Sequence, residues 1–189
     1  MAFNKYKFIH FFIISAILWC IPFFFRLYLI NDIGVSSANN AESTPKILNQ
    51  LFIAHAENNR LEIFTLIFKN NLKSCVFNIL GGVMLSLGTI VNLIMNGFIT
   101  ADIFYTVYRN GMGINQILKH TLPHCFEVIG IWLSGALGIY IAFSLFVFLK
   151  NNSLPTISFY RFVGKQIVFV IIIIALSAFI EAFISTKLT

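Results

Sequence analysis

The sequence predicts an all-α integral membrane protein, a helical bundle of four to five transmembrane helices with an amphipathic surface helix and a re-entrant hairpin. Three observations predict it. Of 189 residues, 58% are hydrophobic and only 11% carry a charge, against about 25% charged in a soluble domain. A soluble chain of this size needs a polar shell that these residues cannot build. Several apolar runs reach the roughly 20 residues that cross a bilayer, and most of the charges lie between those runs or near their ends.

The elements follow in order. Residues 1–30 form the first transmembrane helix: Lys5 and Lys7 precede an apolar run from Phe8 to Ile30, too long for a cleaved leader. Pro22 is a kink site within it, and Arg26 snorkels toward the boundary. Residues 31–70 are read as a polar loop followed by an amphipathic interfacial segment. Residues 31–46 have no hydrophobic period and hold Pro45, and residues 46–70 mix Leu and Phe with His55, Glu57, Arg60 and Glu62.

Residues 71–189 form the membrane core. A second spanning run is expected from Leu72 to Met95, broken at Asn96-Gly97. Residues 98–121 are short, interrupted by Asp102 and by the RNGMG turn, and suggest two short helices in a re-entrant or interfacial hairpin. A third run extends from Phe126 to Leu149, and a last from Gln166 to Ile184.

Two patterns carry functional information. Asn71, Cys75, Asn78, Gly81, Gly82, Gly88, Asn92 and Asn96 recur at spacings of three and four, which would place them on one helix face. Small residues allow close helix approach in lipid and Asn supplies interhelical hydrogen bonds, so the face is a packing surface or a substrate path. It is expected to meet Gly130, Ser134 and Gly138 of the third run, where Gly135 is a further helix-packing residue. The second pattern is His124, Glu127 and Glu181. A carboxylate inside a spanning helix needs a partner; His124 and Glu127 are the natural partners of Glu181, with Lys119 or Arg109 next. The three would form a polar lock, or else a metal or hydrolytic centre. No HExxH motif and no second nearby His support the metal reading, so no metal and no cofactor are expected.

Other classes are excluded. The net charge of +6 comes from scattered Lys and Arg at helix ends, a topology and lipid-contact signal rather than a nucleic-acid patch. No P-loop, GxSxG or GxGxxG motif occurs. Cys20, Cys75 and Cys125 form no CxxC pair and read as small buried hydrophobes.

The segments IFKNNLKSCVFNILGGVMLSLGTIVNLIMNGFITADIF, LPHCFEVIGIWLSGALG and AFIEAFIS resemble the stage II sporulation protein M family. The positions that carry the resemblance are Phe68, Asn70, Asn71, Leu72, Gly81, Gly82, Gly88, Asn96 and Gly97, then Leu122, Pro123, His124, Glu127, Gly135 and Gly138, then Ile180, Glu181 and Ala182. Cys125 departs from the pattern, where Gly is expected. The resemblance implies a bacterial multi-pass protein of the cytoplasmic membrane. The family's namesake works with wall-remodelling partners during engulfment, and relatives occur beside peptide-export genes. It leaves two main readings. One is a non-enzymatic subunit that anchors or organises an envelope complex, its partners the lipid bilayer and other membrane or envelope proteins. The other is a membrane component of a peptide or small-solute export or immunity system, partnered by an ATP-binding subunit. An intramembrane hydrolase is the third.

Overall fold

The computed structural model describes residues 5–33, 50, 53–54, 57–109 and 124–184. Five long helices account for nearly all of them: α1 (Lys5–Ile33), α2 (Arg60–Val83), α3 (Leu87–Arg109), α4 (His124–Lys150) and α5 (Ile157–Phe183). No strand occurs among the described residues. Among the described residues, four stretches are long and apolar enough to cross a membrane: Phe8–Leu29, Leu87–Thr106, Cys125–Lys150 and Ile157–Phe183. The all-helical membrane class therefore holds.

The helix boundaries differ from the sequence reading in several places. The run Leu72 to Met95 is not one helix. The chain turns at Met84–Ser86, and α2 and α3 form a hairpin there. The Ser86 amide donates to the Gly81 carbonyl at 3.0 Å, and Leu85 and Ser86 adopt left-handed φ of 53° and 65°. Two such residues cost about 1 kcal/mol or more each, and the close seating of Gly81 against Gly88 and Thr89 holds the turn shut. The expected break at Asn96-Gly97 lies instead inside α3. Gly97 is retained there because the α1 backbone crosses it: a Cβ would strike the Trp19 carbonyl.

Residues 60–70 are likewise not a separate surface piece. They are the first half of α2, capped by Asn59, whose side chain accepts from the Glu62 amide. Ile63 and Ile67 are buried with Ala178 and Ala182 of α5. Of the expected loop at 31–46, residues 31–33 belong to α1 and residues 34–46 lie outside the described set. Of the expected hairpin at 98–121, residues 98–109 complete α3 and residues 110–121 lie outside it.

α4 is the hub. Most of its span, 61%, is buried, against 17% for α1, and it packs on all four other helices. Its run of Gly130, Ser134, Gly135, Ala136 and Gly138 keeps it thin enough for neighbours on every side. α5 returns antiparallel to α4 through the short connection 151–156, with Thr156 capping the Phe159 amide. α1 also runs antiparallel to α4: Phe8 meets Tyr140 near one end, and Trp19 meets Trp132 further along. Pro22 sits within α1, which stays helical throughout.

Candidate functional site

The small and polar residues meet at the seam of α2, α3 and α4. At its tightest point Gly82 faces Gly138, so closely that a Cβ on Gly82 would strike the Gly138 carbonyl, and one on Gly138 the Asn78 carbonyl. Only glycine on both sides permits this approach.

A chain of amides begins beside that contact. The Asn96 amide nitrogen donates to the Asn92 side-chain oxygen at 3.1 Å, and Asn92 donates to the Asn78 side-chain oxygen at 2.8 Å. Asn78 then donates to Ser134 Oγ at 2.9 Å, and Ser134 to the Ile131 carbonyl at 2.8 Å. Each step passes its donor forward, so the chain runs head to tail from α3 through α2 to α4. Such ordered chains strengthen their own bonds. Thr89 donates to the Asn78 carbonyl at 2.7 Å, and Ser74 Oγ accepts from both Asn92 and Asn96. Asn78, Thr89 and Ser134 are wholly buried.

The eight residues read as one helix face therefore lie on two helices. Asn71, Cys75, Asn78, Gly81 and Gly82 belong to α2; Gly88, Asn92 and Asn96 belong to α3. The hairpin folds one set onto the other. Gly130 meets Ile174 of α5 and its carbonyl lies 3.8 Å from Cys75 Sγ, while Gly135 faces Ser15 of α1 and Leu93 of α3. The small residues of α4 thus face all four partners, not one.

The residues of the second pattern belong to the helix ends where α4 begins and α5 finishes. Glu127 is half-buried one turn before Gly130. Asn71, one turn before Cys75, is 2% exposed, and its amide nitrogen finds no hydrogen-bond partner among the described residues. Glu181 is half-buried on α5, between the buried Ala178 and Ala182. His124 is the first residue of α4; its side chain, the Arg109 side chain and Lys119 lie outside the described set. Among the described residues no three His, Cys, Asp or Glu side chains gather as metal ligands.

The sequence reading missed one pairing. Arg26 of α1 donates through Nε to Asp102 of α3 at 2.8 Å. Its signal was present: one basic and one acidic residue, each alone near the end of an apolar run.

Three comparisons bear on this architecture. The family model for Stage II sporulation protein M matches residues 8–186, nearly the whole chain. An uncharacterized protein of Methanocaldococcus jannaschii is 26% identical over 180 residues, spanning 93% of this chain and 94% of its own length. No solved structure matches.

Proposed function

The chain belongs to the stage II sporulation protein M family, and from that premise we propose that it is a non-enzymatic membrane subunit that anchors or organises an envelope complex. One observation carries this reading over a transport path. The Asn92 and Asn78 amides, with Ser134, spend their donors on one another and on α4 backbone, across helices that touch glycine to glycine. Polar groups that line a solute path must instead leave hydrogen-bonding capacity for the solute. Glu127, Glu181 and His124 serve in this reading as a fastening at one end of the bundle, and the partners are other membrane or envelope proteins of the cytoplasmic membrane.

Two measurements on the full chain test it. Reconstituted alone or with a co-purifying ATP-binding subunit, it is expected to pass neither a short peptide nor a small polar dye out of loaded vesicles. In its native membrane it is expected to migrate within a larger complex that dissolves when the chain is deleted. Flux through vesicles, abolished by Asn78→Leu, would replace the scaffold reading with the export one.

A further inference from the structure

The Arg26–Asp102 pair does more than join α1 to α3. Arg26 lies within a turn of the end of the α1 span at Leu29, and Asp102 close to the end of the α3 span at Thr106. That is headgroup depth, where long basic side chains reach for lipid phosphate. The pair stays open: the two side chains are 38% and 48% exposed. Arg26 uses only Nε for Asp102, so both terminal NH₂ groups remain without an acceptor among the described residues, as does the second carboxylate oxygen without a donor. The pair forms the polar wall of a cleft of about 290 Å³, whose other walls are Phe25, Leu29 and Phe98.

We propose that this cleft binds the headgroup of an aminophospholipid, a phosphodiester with a primary ammonium. The guanidinium NH₂ groups fork onto the phosphate oxygens. The ammonium donates to the free oxygen of Asp102. Phe25, Leu29 and Phe98 take the first carbons of the acyl chains. A zwitterion matches an open ion pair charge for charge, leaving neither partner unbalanced in a medium that screens poorly. A choline headgroup has no N–H to give Asp102, and a glycerol headgroup brings no cation.

The test is lipid retention by the full chain. It is reconstituted in bilayers of equal parts phosphatidylethanolamine, phosphatidylcholine and phosphatidylglycerol, extracted gently, and its bound lipid quantified by mass spectrometry. Phosphatidylethanolamine is expected to be retained about tenfold over phosphatidylcholine, the worth of one charge-assisted hydrogen bond. Asp102→Asn should abolish that preference, and Arg26→Gln should abolish retention of all three. Phe98→Trp fills the cleft but leaves both charges; it should also lose the lipid, and it decides the matter if the charge variants fail to fold. Free phosphoethanolamine at millimolar concentration should not displace the lipid. Equal retention of the three lipids by the unaltered chain, full retention by Phe98→Trp, or displacement by free phosphoethanolamine would each overturn the proposal.

Discussion

Two seams of this bundle are built from opposite materials. Where α2, α3 and α4 meet, backbones touch through Gly82 and Gly138, and a relay of Asn and Ser side chains crosses between them. Where α1 meets α4 and α5, rings interlock: Phe8 and Phe11 stand edge-on to Tyr140 at 5.9 and 5.7 Å, and Trp19 meets Trp132 at 5.8 Å. In water the aromatic seam would dominate, because burying rings removes apolar surface from solvent. In lipid that gain disappears, since acyl chains solvate a ring as well as another ring does. Close packing and hydrogen bonds keep their value, because lipid offers no substitute for either. The difference teaches that stability here tracks the thin, polar seam rather than the bulky one.

The comparison can be broken at its strongest point first. Gly138→Leu must force α2 and α4 apart, since even a Cβ collides with the Asn78 carbonyl. A loss of about 3 kcal/mol or more is expected, read as the unfolding midpoint in mild detergent. Asn78→Leu comes second: it removes the donor to Ser134 and the acceptor for Asn92 together. It should cost about 1–2 kcal/mol, and a double-mutant cycle with Ser134→Ala should return a coupling of about 0.6 kcal/mol. Phe11→Leu at the aromatic seam should cost less than about 1 kcal/mol by the same measurement. If Phe11→Leu proves costlier than Asn78→Leu, the ranking of the two seams is reversed.

Much of this was legible from composition and spacing, and the exceptions share a cause. Apolar run length marked α1, α4 and α5, and the small residues of α4 announced close contacts. The α2–α3 turn was not legible because residues 83–87, Val-Met-Leu-Ser-Leu, contain none of the Gly, Pro, Asn or Asp that punctuate turns in water. Val83, Met84, Leu85 and Leu87 are nonetheless exposed. Conversely Asn96-Gly97, a strong turn signal in water, sits inside α3, because Asn96 bonds back to the Asn92 carbonyl and Gly97 admits α1. A period of three to four runs on through a three-residue turn, so two helices looked like one face. The Arg26–Asp102 pair escaped because its partners are 76 residues apart and no local pattern joins them.

The apolar turn also bears on how the protein is made. α2 carries Arg60, Glu62, Lys69, Lys73 and buried Asn71 and Asn78, and it falls short of the apolarity that marks the four spans. Alone it has little reason to leave water, because its amides would meet only hydrocarbon. The acceptors of the Asn78 amide arrive later in the chain, on α4 at Ile131 and Ser134. Insertion of α2 is therefore coupled to the synthesis of a helix that begins 41 residues after α2 ends. α3 is apolar enough to cross a membrane, and the exposed tip residues Met84 and Leu85 carry no charge to drag across. Cys75, buried in the finished bundle at 1% exposure, is a native reporter of this order of events. In a Cys20→Ala, Cys125→Ala background, nascent chains stopped at residue 110 should react at Cys75 with a water-soluble maleimide. Chains carried through to α5 should not.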